Sequence, residues 1–278
     1  MNTDDIVIQA IAEDHGSGDH TSLATIPSTA QGSARLIAKE NGIISGTAIG
    51  CKVFQKIDPS LHIQVITPDG RHVNSGDEIL KVKGSARSIV MAERLALNFL
   101  QRMSGIATST GQYVEAVKEF PAKILDTRKT TPLLRQLEKK AVKDGGGGNH
   151  RMGLYDMIMI KDNHIDFAGG IAPAIETAVE YLKNNNLTLP VEIEVRDFEE
   201  LRQVIASGKI TRIMLDNFSP EDLVIAVQSI NGKYETEASG GITLENIKNY
   251  AASGVDYISV GALTHRIKSM DMSLKAEF

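Results

Sequence analysis

An acidic chain turns basic between Arg128 and Lys161. That span carries Arg128, Lys129, Arg135, Lys139, Lys140, Lys143, Arg151 and Lys161, with His150, against only Glu138, Asp144 and Asp156; the whole protein has a formal net charge of −5. A basic island in an acidic protein suits a local anionic ligand better than an extended polyanion. Within it, the segment Asp144–Arg151 reads DGGGGNHR, with four glycines directly before His150 and Arg151. The expectation is a loop whose backbone, free of Cβ atoms, folds closely around a small anion with His150 and Arg151 beside it. Arg135, Lys139 and Lys143 recur at helical spacing in PLLRQLEKKAVKD and read instead as a solvated helix face.

Carboxylates gather further along. Glu192 and Glu194 stand two apart in LPVEIEVRD and so point to one side of a strand. Buried charge needs partners, so such a pair points to a functional role for at least one of them. Asp216 ends the run IMLD, while Ser239-Gly240-Gly241 and Val260-Gly261-Ala262 close two further apolar runs. Glycines at such ends let backbone N–H groups approach a phosphate. Arginine suits a carboxylate that must be held in fixed geometry. Together these residues describe an enzyme whose substrates carry a phosphate and a multiply anionic group, with carboxylates placed where positive charge develops. No His/Asp/Glu spacing marks a transition-metal site and no Ser/His/Asp nucleophile set is visible; His15, His20, His164 and His265 lie outside the set. The metal to expect is Mg²⁺, held by carboxylates together with substrate phosphates.

These groups need a scaffold that brings distant segments together, and the pattern supplies one. From AKILDTRKT through DMIMIKDNH, LPVEIEVRD, ITRIMLDNF and YETEASGG to VDYISVGALTH, short apolar runs with polar C-terminal ends alternate with helical stretches. That alternation predicts parallel strands joined by crossovers, closed toward a barrel, with the site at the C-terminal ends of the strands. Ahead of it the chain reads as mixed α and β: a helix over residues 4–14, then ARLIAKENGIISG, LHIQVITPDG and DEILKVKG as strands. Two helices are expected next, from about Ser85 to Gln101 and from about Ile106 to Glu119, with the domain boundary between them. The predicted division is an N-terminal α/β domain over 1–104, a barrel over 105–266, and a tail, 267–278, that packs back on the first.

At 278 residues, 42% hydrophobic and 23% charged, the composition is that of an ordinary globular protein. It has no apolar run of membrane-spanning length, and the acidic start, MNTDDIVIQ, lacks a signal-peptide layout, so a cytoplasmic protein is expected. A single cysteine, Cys51, excludes an internal disulfide framework. Net acidity and the absence of tryptophan argue against nucleic-acid binding.

The motifs EDHGSGDHT, DTRKTTP, GGGGNHRMGL, IKDNH, EIEV, LDNF, SGGI and VGALTH occur in this order. Together they resemble the quinolinate phosphoribosyltransferase family, over nearly the whole chain. The resemblance implies an N-terminal α/β sandwich followed by an incomplete α/β barrel, the type II phosphoribosyltransferase fold. It implies transfer of phosphoribosyl from phosphoribosyl pyrophosphate to quinolinate, with Mg²⁺, releasing pyrophosphate and CO₂ to give nicotinate mononucleotide. It also implies a homodimer or a larger assembly of dimers, with Arg94 of AERLALN donated across the interface. Matched motif by motif, Arg128, Lys129, His150, Arg151 and Lys161 fall to the quinolinate carboxylates. Glu194 and Asp216 fall near the ribose and metal, and with Lys129 form the expected catalytic set. Ser239, Gly240, Gly241, Gly261 and Ala262 fall near the sugar phosphate. Arg196 departs from the pattern, which has acidic or neutral residues there. Two other readings compete: a related transferase that uses nicotinate without decarboxylation, for which so many cations would be superfluous, and a non-catalytic carrier module suggested by VNSGDEILKVKG, which leaves the barrel mouth unexplained.

Overall fold

The computed structural model describes residues 2–277. In chain order the strands are β1 (Gln31–Ala38), β2 (Gly42–Ile43), β3 (His62–Val65), β4 (His72–Val73), β5 (Glu78–Ser85) and β6 (Lys123–Leu125). They continue with β7 (Ile158–Ile160), β8 (Val191–Val195), β9 (Arg212–Asp216), β10 (Glu235–Ser239), β11 (Tyr257–Ser259) and β12 (Met272–Glu277). The first helices are α1 (Thr3–His15), α2 (His20–Thr25), α3 (Thr47–Ile57), α4 (Ala86–Val117) and α5 (Arg135–Asp144). After them come α6 (Asp162–Ala168), α7 (Ile171–Asn184), α8 (Phe198–Ser207), α9 (Pro220–Ile230), α10 (Ile247–Ala252) and α11 (Ala262–His265). The chain divides into two compact units. One comprises the part up to Gly111, Thr130–Gly146 and the part from Leu263 onward; the other comprises Gln112–Lys129 and Gly147–Ala262.

The first unit is built on an antiparallel sheet in the order β12-β1-β5-β3, with a small β2-β4 pair. Its core gathers Ala34, Leu36 and Ala38 of β1, Leu80 and Val82 of β5, Val53 and Phe54 of α3, and Ala92, Leu95 and Ala96 of α4. The two helices expected around Ser104-Gly105 are one: α4 runs unbroken through both residues. Gly105 serves close approach, because a Cβ there would lie 2.2 Å from the carbonyl oxygen of Lys268. A glycine inside a helix lowers propensity without ending the helix, and here packing decides. In α5 the structure corrects the solvated-face expectation: Lys143 is exposed, but Lys139 is fully buried. Its neighbour Glu138 is also buried, accepting from Arg102 Nε and Nη2 at 2.9 and 2.6 Å and from the Thr131 amide at 3.0 Å.

The second unit holds six parallel strands in the order β6-β11-β10-β9-β8-β7. The ends of this sheet, β6 and β7, do not pair with each other, so the barrel is open. Period 2 sorts its side chains. Ile193, Ile213, Leu215, Ala238 and Ile258 are buried, as are Leu201 and Val204 of α8, Leu223 and Ala226 of α9, and Ile247 and Ala251 of α10. The alternate positions carry polar groups: Glu192 and Glu194, Arg212 and Asp216, Glu237 and Ser239, Ser259. Local signals fix the crossovers. Ser219 accepts from the Asp222 amide as the N-cap of α9, Pro220 takes the first helical position, and acids fill the first turn. Among the described residues, no helix is long and apolar enough to cross a membrane.

Candidate active site

A cavity of about 310 Å³ is lined by residues at the C-terminal ends of the second unit's strands. Arg128 and Lys129 follow β6, His150 and Arg151 follow the glycine run, and Lys161 follows β7. Opposite in charge are Glu194 of β8 and Asp216 of β9, with Ser239 closing β10. Thr127, Met159, Met214 and Ser259 complete the lining. Motif spacing did not single out the last three. They sit two residues before Lys161, Asp216 and Gly261, so strand alternation alone points to them.

The cations are unevenly engaged. Lys161 Nζ lies 2.5 Å from Glu194 Oε2, which neutralises part of its charge inside the site. Arg151 is buried and donates from Nη1 to the Met157 carbonyl at 3.2 Å. Burial, and then the nearby Arg128 guanidinium, hold the Arg151 pKa below the usual arginine value, although the group stays charged. Arg128 Nε is buried without a hydrogen-bond partner. Two adjacent guanidiniums with a buried donor left over form a place for an anion with more than one acceptor oxygen.

Beside this wall lies a buried ionic network that motif spacing only half reveals. The His150 amide donates to Asp126 Oδ1 at 2.9 Å, and Asp126 is fully buried. His150 Nε2 stands 3.1 Å from Glu192 Oε2 and 3.5 Å from Glu237 Oε1. Arg212 Nη1 reaches Glu237 Oε2 at 2.8 Å and Glu192 Oε2 at 3.8 Å, and its guanidinium lies 3.9 Å from the centre of the Tyr257 ring. Burial and the Glu192 charge push the Glu237 carboxyl up to about 7. Burial opposes charge on His150, but contact with Glu192 and the charges of Glu237 and Glu192 outweigh it and draw its pKa upward. Glu237 and Arg212 went unnoticed in the sequence, although the ETE of β10 repeats the EIE spacing of β8. Among the described residues, His150, Glu192 and Glu237 are close enough together to hold a metal ion. Arg212 already supplies the positive charge between the two carboxylates, so the cluster reads as an ion network.

Other expected site residues are not among those that line the cavity. Arg94 is exposed on α4, within the first unit. Gly240, Gly241, Gly261 and Ala262 do not line the cavity. Gly240 has φ +95°, and a Cβ there would lie 2.2 Å from Asn217 Oδ1, so its glycine answers to a turn packed on Asn217. The glycine run departs from the expected anion loop. Gly145 leaves room for the Ala107 carbonyl, 2.3 Å from where its Cβ would be, and Gly146 takes φ +89°. Gly148 bridges to Leu125 and donates to the Ile124 carbonyl at 2.7 Å. These glycines let the chain pack against its own helix and strand; none of them lines the cavity. Arg196 is turned to local partners, with Nη2 2.5 Å from Glu200 Oε1 and 3.6 Å from Asp166 Oδ1.

Comparison with known proteins shows one family over nearly the whole chain. The family described as quinolinate phosphoribosyl transferase, N-terminal domain, matches residues 19–104, and its C-terminal domain matches residues 106–275. Nicotinate-nucleotide pyrophosphorylase [carboxylating], chloroplastic, of Arabidopsis thaliana is 49% identical over 98% of this chain and 82% of its own length. Quinolinate phosphoribosyltransferase [decarboxylating] 2b, mitochondrial, of Nicotiana tabacum is 48% identical over 96% of this chain and 80% of its own. The solved nicotinate-nucleotide pyrophosphorylase of Francisella tularensis superposes with a TM-score of 0.94 at 41% identity, covering 99% of this chain and 96% of that one. Fold, cavity and likeness agree, and the chain belongs to the quinolinate phosphoribosyl transferase family.

Proposed function

We infer that this protein transfers phosphoribosyl from phosphoribosyl pyrophosphate to quinolinate with decarboxylation, giving nicotinate mononucleotide, pyrophosphate and CO₂ in de novo NAD biosynthesis. The observation that carries this reading is the buried, unpartnered Arg128 Nε next to Arg151, in a cavity whose facing side holds Glu194 and Asp216. Quinolinate brings two adjacent carboxylates to the cationic wall. Held there by Arg128, Arg151, Lys129 and Lys161, its ring nitrogen is oriented toward the anomeric carbon of the second substrate. As the nitrogen–carbon bond forms and the bond to pyrophosphate breaks, positive charge develops on the ribose, where Glu194 and Asp216 stabilise it. The positive charge on the alkylated nitrogen then stabilises the electron pair left on the adjacent ring carbon when its carboxylate departs as CO₂, and that carbon takes a solvent proton. Ser239, Gly240, Gly241, Gly261 and Ala262 are assigned to the sugar-phosphate end, and Lys129 also offsets charge on the leaving group.

Mg²⁺ fits the acidic side. Glu194 and Asp216 are hard oxygen donors at the cavity, and the bonds from Lys161 and from Asn217 Nδ2 engage one oxygen of each. The remaining oxygens and the substrate phosphates make the ligand set this ion favours. Bound there, it would neutralise charge on the pyrophosphate. The proposal includes a homodimer, or a larger assembly of dimers, in which the exposed Arg94 of one protomer reaches its partner's site. It also includes a cytoplasmic location, which fractionation tests. Calorimetric titration tests the ligand: quinolinate should bind, nicotinate should bind far more weakly, and Arg128→Ala should weaken quinolinate by about 1.5–3 kcal/mol. Unchanged affinity in that variant would count against the reading.

A further inference from the structure

His150 resembles a member of the cationic wall, yet its hydrogen bonding says otherwise. The Arg151 amide donates to His150 Nδ1 at 2.7 Å. A backbone N–H is a donor in every protonation state, so Nδ1 must present its lone pair. A proton there would set two N–H groups against each other. The other ring nitrogen, Nε2, faces carboxylate oxygens of Glu192 and Glu237 at 3.1 and 3.5 Å, where only an N–H is favourable. We propose that His150 is the neutral, Nε2-protonated tautomer and acts as a positioning residue, holding the backbone and guanidinium of Arg151 for the substrate anion rather than binding that anion as a cation. Its role toward the anion rests on the function inferred above; its tautomer does not.

Several elements contribute a charge or a bond to this arrangement. Glu192 comes from β8, Arg212 from β9 and Glu237 from β10, while Asp126, just past β6, holds the His150 amide. Glu192, Glu237 and Arg212 taken alone, all three ionised, would carry a net charge of −1, with the half-exposed Glu235 also bound to Arg212. The carboxylates' pull on the imidazole would relieve this by adding a proton to it, but the Arg151 amide already occupies the nitrogen that would take it. Glu237 offers another place, since its carboxyl is pushed up to about 7. One proton on Glu237 brings those three groups to zero net charge with His150 uncharged. The dianion then meets Arg128, Lys129, Arg151 and Lys161, the last already shared with Glu194.

Two measurements decide the matter. In protein labelled with ¹⁵N-histidine, free of substrates, long-range ¹H–¹⁵N correlation should show His150 with one unprotonated and one protonated ring nitrogen at neutral pH. The signal is assigned by its loss in His150→Asn or, should that variant fold poorly, in His150→Gln. Two imidazolium-like nitrogens would overturn the proposal, whatever reaction the enzyme performs. The second measurement is a double-mutant cycle on the Michaelis constant for quinolinate. If His150 acts through Arg151, adding His150→Asn to Arg151→Ala should change KM by no more than about twofold, because the two effects share one interaction. A further loss of about tenfold in the double variant, as independent cations would give, would also overturn it.

Discussion

Glu237 faces Glu192 inside the barrel with Arg212 bridging the two carboxylates, an arrangement that leaves a pH signature. Its folded pKa, about 7, exceeds the ordinary 4.5, so its contribution to stability is fully present below about 4.5 and is lost as pH rises through about 7. Relative to Glu237→Gln, the wild type should therefore lose unfolding free energy across that window and level off above it. Urea denaturation at a series of pH values measures the difference, and parallel curves would show that Glu237 ionises normally. The proposed role of Glu194 is in the reaction itself. Glu194→Gln should lower kcat on the order of 10²-fold, with a smaller change in KM, if its charge stabilises the ribose only as pyrophosphate leaves. At this scale the cavity-lining charges were legible because they lie at or near the ends of apolar runs or, for His150 and Arg151, just after the glycine run. Arg212 and Glu237 were not, because they sit at the start and middle of their strands, where sequence reading expects core.

The elements owe their positions to contacts that composition does not announce. Gly145 looked like part of a ligand loop, yet its Cβ would strike the Ala107 carbonyl of α4 and Thr110 Cβ, at 2.3 and 2.7 Å. A backbone carbonyl cannot rotate away, so Gly145→Ala should cost about 1–3 kcal/mol, read as a lower urea midpoint. Glu138 makes the same point through charge. Arg102→Ala would leave that buried carboxylate without its cation and should destabilise by about 3 kcal/mol, whereas loss of an exposed surface pair would cost little. The six barrel strands were readable because parallel strands between helices show as short apolar runs with polar ends. The unbroken α4 was not, because Ser104-Gly105 carries a local break signal that long-range packing on Lys268 overrides.

For the whole molecule, the second compact unit explains why motifs scattered over the chain matter together. Cavity residues come from segments near Arg128, Arg151, Lys161, Glu194, Asp216 and Ser239, and the parallel sheet of the second unit gathers them. Arg94 belongs to the first unit, and its proposed place is in a neighbouring protomer. Mixing Arg94→Ala with Arg128→Ala subunits should then restore part of the activity that each homodimer lacks, because one hybrid site regains both arginines. Verified heterodimers without recovery would remove the shared site. The central claim is the reaction, and carboxyl-labelled quinolinate tests it most directly. Incubated with phosphoribosyl pyrophosphate and Mg²⁺, the enzyme should release CO₂ and form nicotinate mononucleotide in equal amounts, with no CO₂ when phosphoribosyl pyrophosphate is withheld. Nicotinate mononucleotide formed from nicotinate as readily as from quinolinate, or no product from quinolinate at all, would contradict it.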